Sequence, residues 1–381
     1  MVGSTAVRTP EVPSRVRNWA GRLGGSRRWP RTVPATVLAG TELIHLGGGE
    51  SLPCPDADRL PLDPAVRRLG LGTAALALPP ARVHVLRDVL VQPGSRVVTA
   101  ADGRVVAESV TQDMVGQALI DPKELRSTPV EIEGTVAVFR SPWRSRYHTL
   151  IDHLPRAALL IHPAMHRVGP ITVLHDGPLT PLEEWLLPQL SGRNIQLREV
   201  EPGTAVRAER VLLPGYVTRP GAGAVPSWYR RWADKISIGG APDAAVDGPR
   251  RIFADPRSAN GRGTVANRQE LDTLLDRYGI VAVDPDSIPV PKLLGLYREA
   301  DLVLGVHGSG LSQSLFSRRT HIVELLGGRT LLPNLYYLAA STGLPYDYVM
   351  ARDPVPADRV AEHGGAVVDL EWLDSLLSRI V

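Results

Sequence analysis

The sequence predicts an α/β protein whose C-terminal half contains an open parallel sheet covered by helices. From residue 251 onward, short apolar runs alternate with helical stretches in a regular β-α-β-α-β order, which is the pattern of parallel strands joined by crossover helices. The run Asp301–Val306 also has the composition of a strand buried on both faces. Ligands of such sheets bind at the carboxyl ends of the strands.

The composition of the chain limits the classes of protein to which it can belong. The chain has 381 residues, of which 43% are hydrophobic and 22% charged, so we expect a soluble protein of about two domains. A net charge of +3 gives no reason to expect nucleic acid as a partner. The single cysteine, Cys54, excludes an internal disulfide and a cysteine-based metal site, and a cytoplasmic location is the simplest expectation. No apolar stretch approaches the roughly 20 residues of a membrane span.

Residues 1–34 are predicted to form a basic, disordered tail. Seven arginines and one glutamate lie between Arg8 and Arg31, without the continuous apolar segment of a signal peptide. Charge runs of this kind are usually solvated. The alternative is contact with an acidic partner or an anionic membrane surface, and we expect at most peripheral membrane contact through this tail.

Residues 35–245 predict an N-terminal domain that begins with strands and turns. Strands are expected over Ala81–Val91 and Glu131–Arg140, and Asp102-Gly103 between two β-branched runs is a strong hairpin signal. After Trp143, helices alternate with strands. The expected helices are 151–162, interrupted at Pro155, then 181–190 and 227–236, and the expected strands are 171–175 and 210–214.

Residues 246–360 predict a C-terminal domain built on the parallel sheet. The expected strands are 251–254, 280–284, 301–306 and 321–325, and the expected helices are 267–278, 290–300 and 334–342. A helix is also expected to follow the strand 301–306 and to run to about Phe316. The segment 361–381 contains a last helix, for which packing back on the N-terminal domain is one possibility.

The turn His307-Gly308-Ser309-Gly310 has the composition of an anion-binding turn. The glycines can adopt backbone angles closed to other residues and let a ligand approach the main chain. Ser309 and Ser312 can cap the helix that follows. The first N–H groups of that helix lack internal partners and suit a phosphate. The alternative is an ordinary strand-to-helix turn.

A second stretch, Tyr147–Arg156, combines a base, an acid and a guanidinium. His148 and Asp152 are four residues apart and would share one face of a helix. Either of them can deprotonate an acceptor hydroxyl, and Arg156 can hold an anion. The alternative is a solvated helix stabilised by salt bridges.

Two further features are expected at the same edge of the sheet. Arg257 and Arg262 lie in a glycine-containing loop after the strand 251–254, where two guanidinium groups would neutralise a diphosphate. Glu324 ends another strand, and by analogy with dinucleotide folds an acid there accepts hydrogen bonds from ribose hydroxyls. The alternatives are a surface loop with ordinary arginines and a surface acid.

Taken in this order, these stretches resemble glycosyltransferase family 61. The resemblance spans roughly residues 80–350. Its motifs stand here as Tyr147-His148-x-x-x-Asp152-x-x-Pro155-Arg156, as Arg257 and Arg262 ahead of Asn267-x-x-Glu270, as His307-Gly308-Ser309-Gly310 continuing to Phe316, and as Val323-Glu324-Leu325. Gln313 stands where the family has asparagine.

The resemblance implies a fold of the GT-B type. Two Rossmann-like domains would face a cleft, the acceptor-side N-terminal one with additional β-hairpins and the C-terminal one binding the nucleotide sugar. It also implies an inverting, metal-independent enzyme that moves a sugar from a nucleoside-diphosphate sugar, UDP-sugar first of all, to a hydroxyl acceptor in bacterial polysaccharide, glycoconjugate or natural-product synthesis. We expect no cofactor and no metal, and the oligomeric state stays open.

The resemblance assigns three groups of site residues. The catalytic residues are Asp152 and His148; the donor-binding residues are Arg257, Arg262, His307, Gly308, Ser309, Gly310 and Glu324; the supporting residues are Tyr147, Arg156 and Asn267. One alternative is a related protein that binds a nucleotide sugar or glycan without transferring it. Another is a nucleotide-dependent dehydrogenase or kinase, although the chain lacks their Gly-x-Gly-x-x-Gly spacing and their phosphate loop at this turn.

Overall fold

The computed structural model describes most of the chain. The described residues are 31–53, 76–92, 97–110, 128–190, 194–201, 203–218, 223–236, 247–255, 265–327, 332–352 and 366–381. The predicted basic tail falls almost wholly outside these ranges. The predicted arginine loop with Arg257 and Arg262 also lies outside the described residues.

Strands in the described residues form a large mixed sheet, a second sheet of six strands and a short separate pair. The strands are β1 Thr32–Val33, β2 Glu42–His45, β3 Glu50–Leu52, β4 Leu76–Leu78, β5 Arg82–Leu86, β6 Val89–Gln92, β7 Val97–Ala100, β8 Val105–Val106, β9 Val130–Val138, β10 Ile171–Asp176, β11 Ile195–Val200, β12 Val206–Pro214, β13 Arg251–Ala254, β14 Val281–Val283, β15 Leu302–Val306, β16 His321–Gly327, β17 Tyr346–Arg352 and β18 Val367–Val368.

Helices of three kinds accompany the strands. The α-helices are α1 Arg146–His148, α2 Leu154–Leu160, α3 Pro181–Leu190, α4 Ser227–Lys235, α5 Arg268–Arg277, α6 Val290–Glu299, α7 Asn334–Thr342 and α8 Leu370–Ile380. A π-helical turn covers Thr149–His153. Short 3₁₀ helices cover Ala35–Val37, Ala107–Ser109, Pro163–Val168 and Ser309–Phe316.

The first sheet combines a parallel block with antiparallel hairpins. Its order is β1-β8-β7-β6-β12-β9-β10-β11, with β5 pairing with β12 and β2. Strands β12, β9, β10 and β11 run parallel, whereas β6, β7 and β8 form hairpins. The predicted Asp102-Gly103 hairpin is confirmed: Gly103 has φ 80°, and the N–H of Ala100 donates to the carbonyl of Arg104 at 2.8 Å. A left-handed angle at this position suits glycine.

The second sheet has the predicted β-α-β order. Its strands follow β14-β13-β15-β16-β17-β18, of which the first five are parallel and β18 is antiparallel. Leu302–Gly305 in β15 are buried, as its apolar composition predicts. The α/β class with parallel sheets is therefore confirmed, and the GT-B arrangement of two domains facing a cleft stays a prediction.

Helix α8 covers the second sheet. Its buried side chains Leu373, Leu376 and Leu377 belong to the same apolar core as Leu271 and Leu274 of α5. The possibility that this helix packs back on the N-terminal domain is therefore wrong. The helix carries its leucines at a spacing of three and four residues, so one stripe faces α5 and the sheet.

Helix α4 links the residues before it to those of the second sheet. The hydroxyl of Tyr229 donates to the carbonyl of Leu150 at 2.8 Å. On the other side, Arg298 of α6 donates to the carbonyls of Ala233 and Ile236 at 3.2 and 3.1 Å. The helix is thus bonded both to the segment that carries His148 and to a helix that covers the second sheet.

Replacing Leu377 by alanine is expected to lower the free energy of unfolding by about 2–5 kcal/mol, because it leaves a cavity in the core under α8. Urea unfolding followed by circular dichroism measures the change. Glu371→Ala on the exposed face of the same helix is the control and should cost less than ~1 kcal/mol. Equal losses in the two variants would contradict the packing of α8 described above.

Candidate active site

The segment Arg146–Leu160 is one continuous helical stretch with a π-helical turn in its middle. It begins five residues earlier than the sequence predicted, with the side chain of Ser145 accepting from the N–H of His148 at 3.4 Å. The predicted interruption at Pro155 does not occur. Pro155 lies in the first turn of α2, where the missing N–H and fixed φ are tolerated, and the wider π turn precedes it.

His148 and Asp152 lie on one face of this stretch, as predicted. The Nδ1–H of His148 donates to Oδ2 of Asp152 at 2.5 Å, and the hydroxyl of Thr218 donates to Oδ1 at 3.5 Å. The His148 side chain is 26% exposed and that of Asp152 is 12% exposed. A histidine that gives Nδ1–H to a carboxylate keeps Nε2 as a proton acceptor. The pair therefore has the geometry of an oriented general base.

Two aromatic rings fix the plane of the His148 ring. Trp143 stacks on it with ring centroids 5.1 Å apart and planes 21° apart. Tyr147 meets it edge-on at 5.2 Å and 88°. Burial, and then the negative charge of Asp152, raise the pKa of Tyr147 well above its usual value, so its hydroxyl stays protonated and available as a hydrogen-bond donor.

The predicted anion-binding role of Arg156 is wrong. Its side chain is 2% exposed, donates through Nε to the carbonyl of Pro214 at 2.9 Å, and donates through Nη1 to the carbonyls of Phe139 and Arg140 at 3.0 and 3.1 Å. Its guanidinium carbon lies 4.3 Å from the ring centroid of Tyr216. Arg156 joins α2 to the ends of β9 and β12, and it supports the site as a structural residue.

A buried polar cluster anchors the loop that carries Trp143. Arg140 donates to both carboxylate oxygens of Glu183, at 3.0 and 2.7 Å, and to the carbonyl of Asp176 at 2.8 Å. His153 lies 2.9 Å from the hydroxyl of Ser141. Burial alone would raise the pKa of Glu183, but the His153 ring, whose Nδ1 lies 3.5 Å from Oε1, and the hydrogen bonds and charge of Arg140 outweigh it and hold that pKa well below its usual range. The loop is therefore tied to the start of α3.

The glycine turn follows β15 but continues as a 3₁₀ helix instead of an α-helix. Gly308 is extended, with φ 165° and ψ −178°, and a Cβ atom there would meet only the carbonyl of Val306 at 3.7 Å. Neither Gly308 nor Gly310 has a left-handed φ, so the turn does not use the backbone angles that only glycine adopts readily. The predicted serine caps are absent too: the hydroxyl of Ser312 donates to the carbonyl of Ser309 at 2.6 Å.

Gln313 and Tyr297 hold the carbonyl groups of this turn. The hydroxyl of Tyr297 donates to the carbonyl of Gly310 at 2.6 Å. In the amide orientation that satisfies both of its atoms, Gln313 donates to the carbonyls of Gly310 and Ser309 at 2.7 and 3.0 Å. These carbonyl groups are therefore bonded within the protein. The first N–H groups of a helix point away from its carbonyl groups and lack internal partners, which is the arrangement that favours an anion.

His307 is held by a carboxylate, like His148. Its Nδ1–H donates to Oε1 of Glu324, and the hydroxyl of Tyr346 donates to Oε2 of Glu324 at 2.6 Å. Glu324 is 1% exposed and its two oxygens already have protein donors. The expectation that Glu324 accepts hydrogen bonds from ribose hydroxyls therefore does not fit. The role of Tyr346, which begins β17, was not predicted.

Arg146 brings the two histidine motifs together. It forms an ion pair with Asp286 and donates through Nη2 to the carbonyl of Pro285 at 2.7 Å. Its Nε also donates to the amide oxygen of Gln313 at 3.1 Å. Helix α1 consequently packs against the 3₁₀ helix Ser309–Phe316. Arg146 was not predicted as a site residue, because nothing in its local pattern shows which loop it reaches.

Asn267 lies away from this contact. Its side-chain amide donates to the carbonyl of Val368 at 2.9 Å and its oxygen accepts from the N–H of the same residue at 2.9 Å. Asn267 therefore fixes β18 to the start of α5. Its supporting role is structural.

The described residues contain no group of three histidine, cysteine, aspartate or glutamate side chains that could hold a metal ion. A metal-independent reaction stays a prediction. In the same part of the chain, no helix is both long and apolar enough to cross a membrane.

A sequence comparison identifies the family that this part of the chain resembles. Residues 147–323 match the model of a family described as Glycosyltransferase 61. The matched stretch begins at Tyr147, contains both histidine motifs and ends one residue before Glu324. No curated protein matches the chain. This match supports an enzyme that transfers a sugar, and the protein is a glycosyltransferase. Residues 147–323 are similar to glycosyltransferase family 61.

Replacing Arg156 by glutamine is expected to lower the free energy of unfolding by about 3 kcal/mol, because buried carbonyls lose a charged donor. Arg207→Gln on the exposed face of β12 is the control and should change stability by less than ~0.5 kcal/mol. Denaturant unfolding of both variants measures the difference. Unchanged stability of Arg156→Gln would restore the anion-binding interpretation.

Proposed function

We propose that the protein is an inverting glycosyltransferase that moves a sugar from a nucleoside-diphosphate sugar, UDP-sugar first of all, to a hydroxyl acceptor. The observation that carries the proposal is the His148–Asp152 pair at 2.5 Å, on a helix that packs against the glycine turn. His148 is the general base in this proposal. Asp152 positions its ring and stabilises the charge that the ring acquires.

The reaction is a single displacement at the anomeric carbon. The acceptor oxygen attacks this carbon and forms the new C–O bond while its proton passes to Nε2 of His148. The bond between the anomeric carbon and the diphosphate oxygen breaks, and its electron pair leaves with that oxygen. Because attack comes from the face opposite the leaving group, the configuration inverts.

The departing diphosphate is proposed to lie at the glycine turn. His307, the N–H groups at Ser309 and Gly310, and the sequence-predicted Arg257 and Arg262 would share its negative charge. What supports this placement is the position of the turn at the carboxyl end of β15, the edge at which open parallel sheets bind ligands. No metal ion and no cofactor take part in this proposal.

We assign the acceptor side and the nucleotide-sugar side of the enzyme by their order along the chain. Residues 35–245 form the acceptor side and residues 246–360 the nucleotide-sugar side of a GT-B-type enzyme, which acts in the cytoplasm on a bacterial polysaccharide, glycoconjugate or natural-product precursor. A lipid-linked acceptor would be met peripherally through the basic tail. A binding protein without transfer activity would have no use for a base held by a carboxylate on a helix that packs against the glycine turn.

Donor identity is tested with a thermal-shift panel of uridine, guanosine and thymidine diphosphate sugars. A donor that binds the native state at 100 times its Kd stabilises it by about 2.7 kcal/mol. We expect a UDP-sugar to give the largest shift. Equal shifts from all three nucleotides, or none, would contradict a nucleotide-specific donor site.

The base is tested with the donor that this panel identifies. His148→Gln should lower kcat by about 10²–10⁴-fold because no group takes the acceptor proton, and Asp152→Asn by about 10–100-fold because the ring loses its positioning partner. Donor binding should be retained in both. His166→Gln, at an exposed histidine on the same half of the chain, is the control. Full transfer activity in His148→Gln would rule out the proposed base.

Gly308 is tested by comparison with Gly305. Gly308→Ala should leave the free energy of unfolding within ~0.5 kcal/mol of the wild type, because nothing in the fold opposes a Cβ atom there, yet should weaken donor binding because the methyl group occupies ligand space. Gly305→Ala should destabilise by about 1–3 kcal/mol, since its Cβ would lie 3.0 Å from Leu311 and 3.2 Å from Ala254. Undiminished donor binding in Gly308→Ala would contradict a diphosphate at this turn.

A further inference from the structure

Three side chains from neighbouring strands form a hydrogen-bonded chain in the second sheet, and its histidine lies at the carboxyl edge of that sheet. His307 follows β15, Glu324 lies in β16 and Tyr346 begins β17, and these three strands are adjacent and parallel. Tyr346 donates to one oxygen of Glu324 at 2.6 Å, and His307 donates to the other. We call this group the His307–Glu324–Tyr346 chain.

Only the histidine end of the chain reaches the ligand edge. Glu324 is 1% exposed, whereas the side chain of His307 is 13% exposed. Because Nδ1 of His307 is used by Glu324, Nε2 is the ring nitrogen that remains for a ligand. None of the described residues bonds this nitrogen.

Charge favours a protonated ring at this position. Burial alone would lower the pKa of His307, but the hydrogen bond and the negative charge of Glu324 outweigh it and raise that pKa above its usual value. The 3₁₀ helix Ser309–Phe316 contains no ionisable side chain. The cations on the elements packed against that helix include Arg146, which is paired with Asp286, and Arg230 of α4, which donates to the carbonyls of Leu315 and Ser317 at the far end of the helix. The charge that faces His307 is therefore that of Glu324.

We propose that Glu324 and Tyr346 are positioning residues that hold His307 as an imidazolium with a fixed ring, so that its Nε2–H presents a positive charge to the diphosphate of the donor. This inference rests on the proposed function, because it uses the glycine turn as the diphosphate site. The proton stays on His307 throughout. Glu324 fixes the protonation state of the ring, and the hydroxyl of Tyr346 stops the carboxylate from turning.

A second histidine–carboxylate pair on the same strands offers a matched control. His321 begins β16, and its Nε2 lies 2.8 Å from Oδ2 of Asp347 in β17. This pair lies near the amino end of β16, three residues before Glu324, and is away from the glycine turn. Glu324→Gln and Asp347→Asn therefore make the same chemical change at a proposed functional pair and at a pair with no such role.

The first experiment needs no substrate. The ring ¹⁵N signals of His307 are followed against pH in the full chain, and His307→Gln identifies them by their absence. In Glu324→Gln the midpoint of deprotonation should fall by about 1–3 pH units, because the ring loses the neighbouring negative charge. Tyr346→Phe should not lower it, since the phenol competes with His307 for the carboxylate. Asp347→Asn should leave it unchanged. An unchanged midpoint in Glu324→Gln would overturn the proposal.

The second experiment measures kcat against pH with the donor found in the thermal-shift panel. The active form has His307 protonated, so activity falls as the pH rises through the pKa of this group. Glu324→Gln should lower the maximal kcat by about 10–100-fold and move this fall to lower pH by the same interval as the NMR midpoint. Tyr346→Phe should lower kcat without shifting the pH at which activity falls. Asp347→Asn should change neither kcat nor this pH.

The two experiments separate the inference from the function on which it rests. A shifted NMR midpoint without a shifted alkaline limb would overturn the role of the His307 charge in catalysis while leaving the transferase intact. If no nucleotide sugar binds, the proposed function fails, and the NMR titration still decides whether Glu324 keeps the ring protonated.

Discussion

A histidine that gives Nδ1–H to a carboxylate has one nitrogen left for chemistry, and both motif histidines of this protein are held in this way. Asp152 orients His148 from within the same helical stretch, whereas Glu324 reaches His307 from the neighbouring strand. The two carboxylates differ in burial, since Asp152 is 12% exposed and Glu324 only 1%. A charge that is buried away from solvent depends on its partner for stabilisation. His307 and Glu324 are therefore more strongly coupled than His148 and Asp152.

Arg146 turns these separate pairs into one site. It contacts Asp286 and Pro285 in the loop after β14 and Gln313 in the 3₁₀ helix. An arginine can bond a loop and a helix at once because its guanidinium carries five N–H donors in a fixed plane. Helix α4 adds a second connection behind this contact, through Tyr229 on one side and Arg298 on the other. The helix that carries the base is thus held against the glycine turn from two directions.

The periodicity of the sequence predicted the helices and strands of this fold well. It predicted the surroundings of single residues less well. Strand β13 and helices α3 and α7 have the predicted bounds, because their apolar spacing and flanking prolines or glycines are local signals. Strand β11 was missed, since its side chains are largely exposed and mixed in charge. The spacing of His148 and Asp152 placed them on one face correctly. The same reasoning misassigned Arg156 and Glu324, because spacing shows the face of a helix or strand but not which long-range partner buries it.

The bonds between Asn267 and Val368 bear on the order in which the protein folds during synthesis. The described strands of the first sheet all precede residue 215, so the ribosome can release that sheet before any strand of the second exists. The core of the second sheet instead needs Leu373 and Leu377 of α8, and β18 is fixed only when Val368 meets Asn267. Until then, the apolar face of α5 lacks its cover. The second sheet is therefore the later-maturing part of the nascent chain and the part in greater need of a chaperone.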